Sequence, residues 1–335
     1  PTQANATAWF FEMTPAKFEA GLARLTDMLA QPLMTEASVR QEVSVIDAEY
    51  RMLAGHADSL CEAAQSLAFA TPEQLHDFHV GHRASFGEDI PAVQQALKHY
   101  HQQRFTTDSL TLCLQGPQSI EELTQLAVRY GHAFAARNGS PPALTQPLSL
   151  RPERHLQLRL GGSTRLRFSF PVTLCPALTL VRQLLMDGAT GGLLDLLRNQ
   201  ALADDVRLSL PYVSDRDAIL SIEFQVGDTT PAVRHRVEAM FCSWLHDVRR
   251  LSTVQLQHYV ALALRDFSRL TALDQLRTRT LDFPPAALKG WQTLPTELHP
   301  QNSTRLGVAS DAPGETSLAK GFPLPASLTD SHHFS

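Results

Sequence analysis

Thr35 and Ser252 stand at matching points of two helical patterns, and this repetition limits the folds open to the chain more than any other feature. Residues 16–30 (AKFEAGLARLTDMLA) place Phe18, Leu22, Leu25 and Leu29 at helical spacing and predict an amphipathic helix. Pro32 stops it, and Thr35 is placed to cap a second helix running through Val39, Val43 and Ile46. Further along, residues 219–226 (ILSIEFQV) alternate as a strand, and residues 233–251 predict a helix carrying Val237, Met240, Phe241 and Leu245. Ser252 then caps residues 253–268. With Thr35 laid on Ser252, Val43 falls on Val260, Val45 on Leu262 and Glu49 on Asp266, while Glu42 falls on Tyr259. Residues 9–13 (WFFEM) read as an opening strand of the first half. Residues 109–116 (SLTLCLQG) and 303–310 (STRLGVAS) read as a late strand in each half.

The fold class expected from this order is α+β, with two repeated α/β units, each a mainly antiparallel sheet packed with helices. Four prolines and a Gly-Ser pair interrupt residues 138–153 (NGSPPALTQPLSLRPE). They divide the chain into a first domain at 1–140, a linker at 141–154 and a second domain at 155–312, with residues 313–335 as a linker or tail. The second domain opens with strands at 156–160 and 165–170 around the Gly161-Gly162 turn. Arg159, Arg165 and Arg167 alternate with apolar residues there, which predicts a solvated sheet face.

Composition removes several classes of function. The 335 residues are 43% hydrophobic and 19% charged, enough for a packed protein. A net charge of −5 argues against a nucleic-acid partner, because phosphate binding needs a basic surface. The apolar runs fall well short of the ~20 residues that span a bilayer, so no membrane partner is expected. Cys61, Cys113, Cys175 and Cys242 show no CxxC spacing and predict buried or free thiols. No GxGxxG, Walker loop or GxSxG occurs. The glycine-rich residues 186–194 (MDGATGGLL) read as a helix start rather than a phosphate site. His76, His79 and His82 are spaced three apart, but Gly81 among them predicts a surface loop rather than a metal site.

One stretch is harder to explain by packing. In residues 40–51 (RQEVSVIDAEYR), Glu42 and Glu49 sit two helical turns apart, which separates them by about 10.5 Å along the axis and only ~20° around it. Val45 and Ile46 lie between them, and no lysine or arginine stands four residues after either glutamate. A solvated helix face explains the pair. So does a carboxylate that ligates a cation with a second one supporting it, although a catalytic zinc takes three protein ligands.

Several pieces, in order over about residues 7–310, resemble the insulinase and pitrilysin family of zinc peptidases. They are residues 7–14 (TAWFFEMT), 18–25 (FEAGLARL), Pro32-Leu33 and the helix at 40–49. Residues 78–86 (FHVGHRASF), 100–116 (YHQQRFTTDSLTLCLQG) and 164–172 (TRLRFSFPV) continue the match. Within the family the order is most like the bacterial branch acting in pyrroloquinoline-quinone (PQQ) biosynthesis. The resemblance implies a zinc metalloendopeptidase that processes a precursor peptide. In the family an inverted HxxEH motif supplies two histidine ligands and the glutamate that activates water. Glu49 matches the third zinc ligand, and Glu42 matches the acidic position seven residues before it, which supports that ligand. Gln41 stands where the family has arginine.

The large departure is the absence of HxxEH from these residues. The opening at Pro1 inside an expected strand predicts that an N-terminal segment carrying the motif is missing. The chain alone is therefore expected to hold little or no zinc and to be inactive. Its implied partners are a peptide substrate, that missing segment and the C-terminal half of a longer protein. The alternative is a catalytically silent subunit that acts as a partner or substrate-binding chain. The expected compartment is the cytoplasm, with the bacterial periplasm as the other candidate.

Overall fold

The computed structural model describes residues 2–3, 5–77, 80–134, 146–162, 164–310 and 316–329. The first unit is mostly helical. It contains α1 (Phe18–Ala30), α2 (Glu36–Ala54), α3 (Ala57–Ser66), strand β1 (Phe69–Thr71), α4 (Arg83–Phe86), α5 (Ile90–Arg104) and α6 (Ile120–Gly131), followed by β2 (Ser149–Leu150). The second contains β3 (His155–Arg159), β4 (Arg165–Thr173), α7 (Ala177–Leu185), α8 (Leu193–Asn199), β5 (Ala203–Val213), β6 (Asp217–Val226), α9 (Pro231–Val248), α10 (Thr253–Ser268), α11 (Ala272–Leu281) and α12 (Leu294–Glu297). Strands β7 (Thr304–Ala309), β8 (Thr316–Ala319) and β9 (Phe322–Thr329) complete it.

The two capped helices form where the repeat puts them. Thr35 accepts a hydrogen bond from the Ser38 amide at 3.1 Å, which satisfies a donor left open at the start of α2. Ser252 and Gln255 form a reciprocal capping box at the start of α10. Helix α2 buries Val39 and Val43 against Ile90 of α5.

The expected strand at 9–13 does not form, and nor does the one at 109–116. Neither segment has a neighbouring strand to take its backbone hydrogen bonds, and β propensity without a partner makes no strand. Trp9 instead packs on Phe105 with ring centroids 5.6 Å apart. Phe11 and Met13 lie over Gly21 of α1, where an added Cβ would meet both at 2.8 Å. The expected α+β class, antiparallel sheet packed with helices, holds, and in the first unit helix predominates over sheet. Among its described residues the sheet is the two-stranded β1–β2 pair, and β2 lies in the segment expected to be a linker.

The large sheet belongs to the second unit, in the order β5-β6-β4-β7-β3-β9-β8. The β3–β7 pair is parallel and the other described pairs are antiparallel. Strands β3 and β4 follow each other in sequence but are not neighbours, because β7 lies between them. Residues 316–329, expected to be a linker or tail, form β8 and β9, and β9 pairs with β3. Leu324, buried to 0% exposure, and Phe322 at 4% join the core, which explains why this segment holds to the sheet.

Alternation along β4 sends Leu166, Phe168, Phe170 and Val172 to one face. There they meet α7 to α10 in the main core, with Phe168, Phe224 and Phe241 in mutual ring contact. The opposite face carries Arg167 and Ser169, and it is not solvated as expected. Helix α3, contributed by the first unit, lies over it and packs Leu60, Cys61, Ala63 and Ala64 on Leu156, Leu158, Leu306 and Val308. Arg167 is 9% exposed and reaches Glu223 at 2.6 Å, while Arg165 contacts Asp58 of α3. A sheet face that alternation marks as polar is buried here because a helix from the other unit supplies the partners.

Candidate functional site

The exposed face of α2 collects Glu42, Val45, Glu49 and Met52 at positions i, i+3, i+7 and i+10. Both glutamates are exposed, and Val45 is 50% and Met52 63% exposed. Among the described residues neither glutamate has an ion pair, whereas Asp47 on the neighbouring side of the helix pairs with Arg51 at 2.5 Å. The structure thus keeps the two glutamates on one open face, bordered by apolar side chains left in solvent.

The donor set decides whether these residues make a metal centre by themselves. Among the described residues no three His, Cys, Asp or Glu side chains converge on a point where a cation could sit. A zinc site with three protein ligands does not fit that set. His82 caps α4 instead, its Nδ1 accepting from the Ser85 amide at 3.1 Å. His76 ends a 3-10 turn, and His79 lies outside the described residues. Cys61 and Cys175 are buried, Cys242 is half-buried, Cys113 is exposed, and all four are free thiols.

The corresponding place in the second unit is closed. Helix α10 packs on α7. Tyr259, standing where Glu42 stands in α2, donates its hydroxyl to Asp187 at 2.7 Å, just beyond the end of α7. The sequence marked the glycine-rich residues 186–194 but gave no sign that Asp187 would hold Tyr259, since 72 positions separate them. Burial first, and then the hydrogen bond to Asp187, push the Tyr259 hydroxyl up to about 12. Its folded value lies above the unfolded one, so the protonated pair stabilises the fold fully below pH ~10 and loses that effect as pH rises toward 12. Tyr259→Phe should cost about 1 kcal/mol, below the roughly 1.5–3 kcal/mol of a hydrogen bond to a charged group because the site is half-exposed. It should also flatten the fall in denaturation midpoint across that alkaline window. Parallel alkaline profiles for the two proteins would contradict this assignment.

Comparisons with known proteins add to the geometry. A family described as PQQ synthase PqqF, N-terminal lobe domain 2, matches residues 164–306. Coenzyme PQQ synthesis protein F of Klebsiella pneumoniae is 35% identical over 327 residues, covering 97% of this chain and 42% of that protein. The protein of the same name from Pseudomonas aeruginosa is 32% identical over 338 residues, covering 96% of this chain and 41% of that protein. The crystal structure of pitrilysin superposes with a TM-score of 0.73 at 19% identity, over 94% of this chain and 37% of that one. This chain is an insulinase-family, PqqF-like protein.

The insulinase-family fold is also shared with a peptidase M16 inactive domain from Pseudomonas fluorescens. That structure gives a TM-score of 0.65 at 14% identity, over 88% of this chain and 76% of that one. At such identities the two structures establish the fold alone. The chain spans about two fifths of the length of the curated relatives it matches. No helix among the described residues is long and apolar enough to cross a membrane.

Proposed function

We propose that this PqqF-like chain forms part of a zinc-dependent metalloendopeptidase that hydrolyses peptides and processes the precursor peptide in PQQ biosynthesis. Glu49 offers one carboxylate to the zinc, and Glu42, seven residues earlier on the same face, supports that site. The observation carrying the proposal is the open face of α2. Two carboxylates without ion-pair partners among the described residues stand beside exposed Val45 and Met52, where the repeat in α10 has a helix and the Tyr259–Asp187 contact. The donor set in hand is incomplete, so Glu49 counts as one ligand of a set that other residues complete.

When bound, zinc lowers the pKa of a coordinated water and polarises a carbonyl. What these residues contribute is a fixed carboxylate on a capped, packed helix. The 335-residue chain, loaded with zinc and then dialysed, should retain well under one zinc per chain and cleave no peptide. Tight equimolar zinc in this chain would overturn the proposal that Glu49 acts in an incomplete set. Reading the gene upstream of Pro1 supplies the second arm. An HxxEH there is expected, and its absence would make the protein a catalytically silent subunit instead.

A further inference from the structure

Helix α2 is held by different parts of the molecule along its length, and the division falls between Glu42 and Glu49. Its first half lies on the first unit, where Val39 and Val43 pack with Ile90 of α5. Its second half lies on the cluster that joins α3 to the large sheet, through Tyr50 and Leu53. Glu42 therefore rides on turns fixed within their own unit. Glu49 rides on turns that meet the second unit.

Tyr50 makes that meeting specific. Its ring stacks on Phe322, the first residue of β9, with centroids 5.4 Å apart and planes 5° apart. Its hydroxyl donates to the Gly321 carbonyl at 3.3 Å. His82, which caps α4, stands edge-on to the same ring at 5.2 Å. Successive residues of a helix are separated by about 100° around its axis, so a clamp on Tyr50 sets the direction taken by Glu49.

The turn that reaches α2 is also anchored by itself. Lys320 and Gly321 join β8 to β9 with φ of 46° and 76°, the two-residue turn whose twist suits a hairpin. Lysine at positive φ is uncommon, and here its side chain is only 5% exposed. It reaches Glu62 of α3 at 3.5 Å. One hairpin turn thus grips two helices of the first unit, α3 through an ion pair and α2 through a stacked ring.

We propose that the β8–β9 turn is a strap from the second unit that positions Glu49, with Tyr50 as the positioning residue and Phe322 as its seat. That the α2 face does chemistry rests on the peptidase reading above; the strap itself does not.

Hydrogen exchange of the 335-residue chain tests the strap. Tyr50→Leu keeps an apolar side chain but loses the stack, and Phe322→Leu does the same from the other side. Each should speed exchange of the amides at 50–54 roughly two- to tenfold, the worth of one aromatic pair, and leave those at 39–46 unchanged. Tyr50→Phe keeps the ring and should exchange like the original chain. Ile90→Val should give the converse pattern, faster at 39–46 only. Circular dichroism melts check folding, and either leucine variant that melts cooperatively carries the test. Equal speeding along all of α2, or none at 50–54, would overturn the strap. In a form of the protein that cleaves peptide, Tyr50→Leu should lower kcat roughly tenfold or more with KM little changed, because a small misplacement of a positioned group is costly. Tyr50→Phe should restore kcat. An unchanged kcat in Tyr50→Leu would sink the positioning of Glu49 and leave the peptidase reading intact. Cleavage by no form would sink that reading, and the exchange pattern would still decide the strap.

Discussion

Replacing Arg167 with alanine should lower the unfolding free energy by about 3–5 kcal/mol, the usual cost of breaking a buried ion pair by removing one partner. The guanidinium donates to Glu223 through Nε at 2.9 Å and Nη2 at 2.6 Å, and through Nη1 to the Gln65 side-chain oxygen at 3.2 Å. Gln65 in turn donates to the Ser221 hydroxyl at 2.9 Å, and Ser169 shares a hydrogen bond with Ser221. With Arg167 gone, Glu223 keeps among the described residues only Arg165 at 3.4 Å, and the Gln65 oxygen only the Ser221 hydroxyl at 3.3 Å.

Gln65 and Asp58 belong to α3, so this network joins the first unit to the sheet of the second. Cys61 lies within it at 0% exposure, and burial pushes its thiol up to about 11, which keeps it unreactive. Alkylation of Cys61 in native buffer therefore reports whether α3 has lifted. The denaturation midpoint should fall in Arg167→Ala and Cys61 should label faster. The double variant Arg167→Met with Glu223→Leu should recover most of the loss, because a buried pair exchanged for apolar side chains is often neutral. A midpoint unchanged in Arg167→Ala would show that the network contributes nothing at this joint.

Glu49→Gln should have the largest functional effect, in a form of the protein that also carries an HxxEH pair. On the proposed role it removes one of three zinc ligands, and activity should fall by well over the ~100-fold that marks the upper range for outer partners. Glu42→Gln should cost between about 10-fold and 100-fold, with zinc still bound. Metal content measured beside activity separates the two roles. If Glu49→Gln kept full zinc and Glu42→Gln lost it, the assignments would be reversed. Neither substitution should change stability by more than about 0.5 kcal/mol, because both side chains are exposed.

Much of this was legible residue by residue. The spacing of Val39 and Val43 and the Thr35 cap depend on the chain within a few positions, and local physics placed α2 correctly. The same holds for Ser252 and α10. The strands that failed, at 9–13 and 109–116, have the right residue types, but a strand is defined by its neighbour, and none lies beside them. The strands that were missed, β8 and β9, form because β3 offers an edge and the core takes Phe322 and Leu324. The acid column of Glu42 and Glu49 was visible from the start.

The sequence by itself determined the helices, their caps, the repeat and the unpaired acids on α2, because each depends on periodicity and on side chains within two turns. Only the tertiary structure decided that the arginine-bearing face of β4 is buried, that residues 316–329 belong to the sheet, and that α10 is covered where α2 is open. Those outcomes depend on which distant surfaces meet, and alternation along a strand says which residues share a face without saying what will cover it.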